Sequence, residues 1–210
     1  MKGFIFDLDG TLLDSLGMWL QIDIEYMARH GVEYKREYSD EIKKMTFVEC
    51  TDYFRNVLGI QREKDDMIQD WKDMSYDYYK NHLQLKPFAL EYVKKCAELG
   101  KCMICTSCEV NSVHAVVERV GLKPYIQEIL TTSELGINKE NPKIYLECAR
   151  RLNLDVKDCT VYEDVLTAAK TAYNAGFHVV GVYDKMWEKD AEEIKSFASK
   201  YITSFEELLW

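Results

Sequence analysis

The sequence of 210 residues predicts an α/β protein with a doubly wound parallel sheet and an inserted all-helical domain. Residues 1–6 end in an apolar run that is typical of a buried strand. From about residue 86, short β-branched or apolar runs alternate with helical patterns, which indicates parallel strands covered on both faces. Residues 16–85 instead carry helical apolar spacing and many aromatic side chains. We therefore predict a core of residues 1–15 and 86–210 around a helical module of residues 16–85.

Local signals mark the helices of the inserted module. His30 and Gly31 are typical of a helix end, because glycine is favoured just after the last turn. Thr46 and Glu49 have the spacing of a capping box and predict the start of another helix, which Gly59 would end. A further helix is predicted over 71–79.

The C-terminal part is predicted as alternating helices and strands. Gly100, Gly121 and Gly176 follow three of the predicted helices, as is typical of helix ends. The predicted helices cover residues 88–99, 110–120, a stretch from about 142, and 166–174. The predicted strands cover residues 102–106, 128–131, 159–162 and 178–183.

Composition and charge narrow the classes of function. The formal charge of −9 argues against nucleic acid, whose binding uses clustered lysine and arginine. No apolar stretch approaches a membrane-spanning length. We expect no signal or transit peptide, because the first predicted strand follows almost directly after Met1. We expect a cytoplasmic protein that has no membrane partner and is a monomer.

The seven cysteines are predicted to be free thiols, since their number is odd and they lie in apparent strands and helices. The spacing of Cys102, Cys105 and Cys108 superficially resembles a metal-binding run. Cys102 and Cys105 lie in an apolar predicted strand, where cysteine acts as a small hydrophobic residue.

The most informative motif follows the first strand, where residues 7–11 read Asp-Leu-Asp-Gly-Thr. Alternate residues of an extended segment point the same way, so Asp7 and Asp9 can face one site at the carboxyl end of the strand. Ligands of open α/β sheets bind at that edge. The alternatives are a solvated turn or part of a calcium loop, but Leu12 and Leu13 stand where a calcium loop needs oxygen ligands.

Residues 7–15 resemble the first motif of the haloacid dehalogenase-like superfamily, whose members are mostly magnesium-dependent phosphatases and phosphomutases. The resemblance implies a Rossmann-like core, with residues 16–85 as a small helical cap. The second motif requires a hydroxyl after the second core strand, and Thr106 and Ser107 match it. Such a turn can hold a phosphate oxygen, although these residue types also commonly cap helices.

Two further motifs of the family are matched with departures. The third requires a lysine, and Lys139 supplies it, although 140–143 read Glu-Asn-Pro-Lys where many relatives have Pro-x-Pro-Asp. A solvated surface lysine is the alternative. The fourth requires acids after a strand, and Glu163 and Asp164 match it. Val165 then replaces a serine that is common in relatives, and helix-capping acids are the alternative.

The resemblance implies a role for each matched residue. Asp7 is the nucleophile, and Asp9 is the general acid and base. The implied Mg²⁺ site comprises Asp7, Asp164 and the backbone carbonyl of Asp9, with Glu163 in a supporting or water-mediated role. Thr106, Ser107 and Lys139 are then expected to hold the transferred phosphoryl group.

The resemblance also separates the possible reactions. Asp9 argues against carbon–halogen cleavage, because family dehalogenases lack this second aspartate, and the absence of lysine from 16–30 argues against phosphonate cleavage. We predict hydrolysis of a small phosphorylated metabolite. A sugar phosphomutase similar to beta-phosphoglucomutase is the alternative, and Lys43 and Lys44 lie where such an enzyme has basic cap residues. A catalytically weak binding or regulatory protein is a third hypothesis.

Six aromatic residues of the inserted module could line a substrate pocket, but their helical spacing favours a role in the core of the module. Trp187, after the last predicted strand, could border the site or lie on a surface loop. The aromatic residues of the module are Trp19, Tyr26, Phe47, Tyr53, Phe54 and Trp71.

Overall fold

The computed structural model describes residues 1–42 and 45–210, with the side chains of Asp40 and Phe47 outside the described part. The chain forms two compact units. The core unit comprises Met1–Leu16 and Leu83–Trp210, and the helical unit comprises Gly17–His82.

A six-stranded parallel sheet forms the centre of the core unit, with strand order β3-β2-β1-β4-β5-β6. The first strand is central, and its Phe6 is paired with Ile104 on one side and Tyr162 on the other. This confirms the predicted α/β fold. The strands are β1 (Lys2–Phe6), β2 (Gly100–Thr106), β3 (Glu128–Thr131), β4 (Cys159–Glu163), β5 (His178–Val182) and β6 (Lys200–Ile202).

Helices of the core unit pack against the sheet. The α8 helix contacts β1 and β2, and α9 contacts β4 and β5. Leu13 and Leu85 form an antiparallel bridge that joins the two segments of the core unit. The helices are α5 (Ala89–Leu99), α6 (Val110–Arg119), α7 (Thr132–Leu135), α8 (Lys143–Leu152), α9 (Leu166–Asn174) and α10 (Ala191–Phe197).

Alternate strand residues supply two different packing layers, as the period of a strand requires. Ile5 belongs to an apolar cluster with strand and helix residues that include Val161 and Ile144. Phe6 instead stacks on Tyr162, with ring centroids 4.5 Å apart, and meets the edge of Tyr92 at 6.4 Å. Side chains therefore pack on both faces of the sheet at β1.

Gly100 marks a close approach between β1 and β2. A side-chain Cβ at this position would lie 2.1 Å from the carbonyl oxygen of Lys2. Glycine is required because the two backbones meet here, so this residue starts β2 as well as ending the preceding helix.

The helical unit has an aromatic core. Tyr26, Phe54 and Trp71 are buried, with ring centroids 5.2–5.9 Å apart, as the helical spacing predicts. Trp19 is 42% exposed, so its assignment to that core is wrong. Tyr53 is partly buried against Tyr38. The helices are α1 (Met18–Arg29), α2 (Arg36–Ile42), α3 (Phe47–Asn56) and α4 (Lys64–Asp77), followed by a π-helix (Tyr78–His82).

The helix ends of this unit lie at or near the predicted signals for α1 and α3, whereas α4 begins earlier than predicted. The capping box of Thr46 and Glu49 is present at the start of α3. The α1 helix ends before Gly31, whose φ is +73°. The helix predicted over 71–79 begins earlier, at Lys64. The Lys43–Lys44 pair lies outside the described residues.

Among the α-helices and strands of the core unit, the short α7 helix, α10 and the edge strand β6 were not predicted. All seven cysteines are free, as predicted, and Cys102 and Cys105 are buried in β2. Among the described residues, no helix is both long enough and apolar enough to span a membrane.

Candidate active site

The first strand leads directly into a buried loop. The Asp7 N–H donates to the Tyr162 carbonyl at 3.0 Å, which extends the pairing of β1 with β4 by one residue. The Leu12 and Leu13 N–H groups donate to the Leu8 carbonyl at 3.0 and 2.8 Å and close the loop. All three leucines are fully buried. The motif is therefore neither a solvated turn nor a calcium loop.

Gly10 allows this loop to approach a second strand end. Its φ is +79°, and a Cβ here would lie 2.2 Å from Asp164 Oδ2. Both the backbone conformation and the close approach require glycine. The loop after β1 and the loop after β4 are thus held in contact.

Three buried carboxylates meet at these strand ends. One oxygen atom from each of Asp7, Glu163 and Asp164 lies within 4.8 Å of the others, and the residues are 6%, 0% and 1% exposed. Asp9 is half-buried and lies outside this group of three, but its charge contributes to the raised pKa of Asp7.

Lys139 is the cation of the cluster. Its Nζ donates to Asp7 Oδ1 and, at 2.7 Å, to Glu163 Oε1. Burial acts to lower the pKa of the Lys139 ammonium, but the Asp7 and Glu163 carboxylates outweigh it and hold that pKa well above its usual range. Lys139 is therefore a buried charge and not a solvated surface lysine.

The loop that carries Lys139 is shaped by asparagine side chains. Asn138 Oδ1 accepts the Glu140 N–H, and Asn141 Oδ1 accepts the Lys143 N–H, each at 3.1 Å. These turns stand where many relatives have prolines, and Asx turns also restrict the backbone. The departure from the family pattern thus leaves the position of Lys139 defined.

Glu163 is surrounded by hydrogen-bond donors. Lys139 Nζ and, at 3.3 Å, the Tyr145 hydroxyl donate to Oε1. The N–H groups of Asp164 and Val165 donate to Oε2 at 3.0 and 3.2 Å. Val165 is the N-cap residue of α9 and makes no side-chain cap bond. Glu163 therefore orders the start of that helix and also positions Lys139.

Asp164 has one bound and one unbound oxygen. Thr11 Oγ1 donates to Oδ1 at 2.9 Å, whereas the buried Oδ2 has no hydrogen-bond partner among the described residues. Burial, followed by the charges of Glu163 and Asp7, raises the pKa of Asp164 to about 9. Burial likewise raises the pKa of Asp7 to about 7, against the opposing effect of Lys139.

The site has more negative than positive groups, because three carboxylates surround one ammonium. A divalent cation fits this excess, and carboxylate oxygens are the ligands that Mg²⁺ prefers. The unpartnered Asp164 Oδ2 is the specific observation that fits such an ion, since a buried polar atom without a partner is costly.

The predicted phosphate-binding residues follow the neighbouring strand. Thr106 ends β2 and is buried, and its Oγ1 accepts the Cys108 N–H at 3.1 Å. Ser107 is exposed. Glu109 is the N-cap residue of α6, so neither hydroxyl residue occupies the capping position. Trp187 is partly buried in a short 3-10 helix (Lys185–Asp190) that follows β5.

Thr11 and Tyr145 belong to this site but were not predicted from the sequence. Thr11 lies inside the first motif, which is the signal that could have identified it. Tyr145 follows Lys139 by six residues and is buried in α8. Its position in a regular helix gives no local signal of contact with Glu163.

The chain is similar to known proteins in sequence and in fold. The family model described as haloacid dehalogenase-like hydrolase matches residues 4–182. Among curated proteins, hexitol phosphatase B of Escherichia coli is 23% identical over 163 residues, which cover 76% of this chain and 73% of that protein.

Solved structures share the fold over the whole chain. A Thermotoga maritima protein assigned as a beta-phosphoglucomutase has a TM-score of 0.88 at 20% identity, with 100% of this chain and 97% of that one covered. A magnesium-bound HAD hydrolase of Bacillus subtilis has a TM-score of 0.81 at 16% identity, with 99% and 96% covered. At these identities the structures show the fold alone, whereas the family model spans most of the sequence. The chain belongs to the haloacid dehalogenase-like hydrolase family.

Proposed function

We propose that this protein is a magnesium-dependent phosphatase that acts on a small phosphomonoester through an aspartyl-phosphate on Asp7. Family membership and the phosphatase relatives support the coarser statement, a phosphatase-like or phosphomutase-like activity. The observation that carries the finer proposal is the buried cluster of Asp7, Glu163 and Asp164 around Lys139.

In this proposal Asp7 and Asp164 hold the magnesium ion, together with the backbone carbonyl of Asp9. When bound, the ion supplies positive charge that offsets the carboxylates and the phosphate oxygens. Glu163 has a supporting role, because both its oxygens already accept hydrogen bonds from the protein.

The residues of the chain divide the reaction into two displacements. In the first, a carboxylate oxygen of Asp7 bonds to phosphorus, and the ester P–O bond breaks. The leaving oxygen takes a proton from the Asp9 carboxyl group. In the second, Asp9 takes a proton from water as the water oxygen bonds to phosphorus, and the Asp7–phosphate bond breaks.

Charge and hydrogen bonds at the site are proposed to stabilise the transferred group. Lys139 offers its ammonium to the phosphoryl oxygens, in addition to its contact with Asp7. Thr106 and Ser107 offer hydroxyl groups after β2. Such groups act strongly in a buried site because few water molecules screen them.

The helical unit is proposed to be the cap that selects the substrate. Hexitol phosphatase B matches 76% of this chain, so phosphorylated sugars and sugar alcohols are the first substrate class to test. In this proposal the core residues bind the phosphoryl group of any substrate, and the cap recognises the rest of the substrate molecule.

Phosphate release from a panel of phosphoesters tests this proposal. The panel contains sugar and hexitol phosphates, nucleotides and an aryl phosphate, each with Mg²⁺ or with EDTA. We expect turnover that requires both Mg²⁺ and Asp7, and Asp7→Asn to lose it. Asp14→Asn is the matched control, because Asp14 is an exposed aspartate in the same loop.

A sugar phosphomutase uses the same core residues, and the structural likeness to a beta-phosphoglucomutase homologue favours it as the second candidate. Here the phosphoryl group on Asp7 passes to a sugar hydroxyl and not to water. Isomerised sugar phosphate without phosphate release identifies this reaction. With folded protein, the absence of both products favours a binding role and contradicts both enzyme proposals.

A further inference from the structure

Tyr145 is a buried tyrosine in the first turn of α8. It is 1% exposed, and its ring packs against Phe177 at a centroid distance of 6.1 Å. Its hydroxyl is directed to Glu163 and donates to Oε1 at 3.3 Å. Neither the motifs of the sequence nor the proposed chemistry gives this hydroxyl a role.

Glu163 Oε1 receives two donors, and this atom links Tyr145 to the proposed chemistry. Lys139 Nζ donates to the same oxygen at 2.7 Å and also contacts Asp7. The other oxygen of Glu163 is held by backbone N–H groups. Backbone N–H groups therefore hold Oε2 of Glu163, while Tyr145 and Lys139 both donate to Oε1.

We infer that Tyr145 is a positioning residue, whose hydroxyl holds Glu163 so that Lys139 stays directed at Asp7 and at the phosphoryl group bound there. The inference rests on the proposed function.

The physical reason is the division of the hydrogen-bonding capacity of Glu163 Oε1 between its two donors. If the hydroxyl is removed, Lys139 becomes the one remaining described side-chain donor to that oxygen. The ammonium is then drawn toward Glu163 and away from Asp7, because a buried carboxylate strongly favours a nearby cation. The hydroxyl is the donor in this contact, because a carboxylate oxygen only accepts.

Tyr145→Phe tests the inference, since it removes the hydroxyl and retains the ring. We expect kcat and kcat/KM for the best phosphomonoester to fall by about tenfold, with KM within about twofold, because the lost contact acts mainly in the transition state. Tyr92→Phe is the matched control. Tyr92 is buried in the same unit, its hydroxyl lies 2.6 Å from that of Tyr162, and kcat should not change.

Crystal structures of the wild type and Tyr145→Phe supply a readout that does not depend on activity. We expect Lys139 Nζ to move toward Glu163 and its distance from Asp7 to increase. An unmoved Lys139 overturns the inference, as does a kcat loss shared equally by Tyr92→Phe. A wild type without turnover contradicts the proposed function, while the position of Lys139 in the two structures still decides the role of Tyr145.

Discussion

Asp70 of the helical unit and Asp164 of the core unit lie in opposite electrostatic environments. In the helical unit, Asp70 accepts two hydrogen bonds from Arg62, both at 2.9 Å, and one from Tyr26 at 3.1 Å. Those bonds, Arg62 first, lower the pKa of Asp70. In the core unit, Asp164 keeps an oxygen without a partner, and burial raises its pKa to about 9.

This difference separates a structural carboxylate from a functional one. Asp70 is matched by a cation on its own unit, so its charge is stabilised by the fold. Asp7 and Asp164 are buried with fewer positive charges than negative ones, and their ionised forms are therefore unfavourable until a cation binds. Substitutions at Asp70 should therefore affect stability, whereas substitutions in the cluster around Asp7 and Asp164 should affect activity and metal binding.

The largest expected effect comes from Lys139→Met. Loss of the buried ammonium removes the positive charge that faces Asp7 and the phosphoryl group, so kcat/KM should fall by about 10²- to 10³-fold. Steady-state phosphate release measures this. Lys143→Met, an exposed lysine in the same region, should retain activity within about twofold. Equal losses in the two variants would contradict the role given to Lys139.

Asp164→Asn should separate stability from metal binding. In EDTA at about pH 8, this variant should be more stable than the wild type by about 1–3 kcal/mol, because ionisation of Asp164 stabilises the unfolded wild type and asparagine has no such ionisation. Addition of Mg²⁺ should stabilise the wild type and not the variant. Thermal unfolding with and without Mg²⁺ gives both results. A variant that Mg²⁺ stabilises as strongly as the wild type would exclude Asp164 as a ligand.

The wild type without metal should lose stability as pH rises. The folded-state pKa values of Asp7 and Asp164, about 7 and about 9, exceed the ordinary value of 3.8. Their contribution to the free energy of unfolding is therefore fully present below about pH 4 and is lost as pH rises through about 7 and 9. Denaturant titrations in EDTA should show this decline, and saturating Mg²⁺ should reduce it. A metal-independent pH profile contradicts the account.

Asp70→Asn should produce the smallest change in stability. The contribution of Asp70 to the free energy of unfolding should depend on pH in the opposite direction to that of Asp7 and Asp164. Because the folded-state pKa of Asp70 is lowered, its contribution is present above its ordinary pKa and is lost as pH falls. The variant should lower the Tm by a few degrees at neutral pH, with a smaller difference in acid. Its kcat should remain within about twofold. A loss of turnover comparable with that of Lys139→Met would contradict the structural role given to Asp70.

Much of the core fold could be predicted from sequence, because its signals are local. Short apolar runs and the glycines after helices mark β1 to β5 and α5, α6 and α9. The α10 helix and β6 lie in a lysine- and glutamate-rich segment with little apolar periodicity, and this hides them. The start of α4 was missed for the same reason, since residues 64–70 are mostly charged.

For the candidate site, the order of the motifs along the chain could be read from the sequence, but the burial of their side chains could not. The first motif and the acids after β4 could be placed at strand ends from the sequence. Lys139 has polar neighbours, so its burial follows only from the fold. The contacts of Tyr145 and Thr11 with acids 18 and 153 residues away depend on tertiary structure in the same way.

Detection of the covalent intermediate tests the central claim most directly. A single turnover of the best substrate, with enzyme in excess, is quenched in acid within milliseconds, and the digested protein is analysed by mass spectrometry. The account predicts one phosphoryl group on Asp7 in the wild type, which appears and then decays as phosphate is released, and none in Asp7→Asn. A phosphoryl group on another residue, or complete turnover by Asp7→Asn, would contradict it.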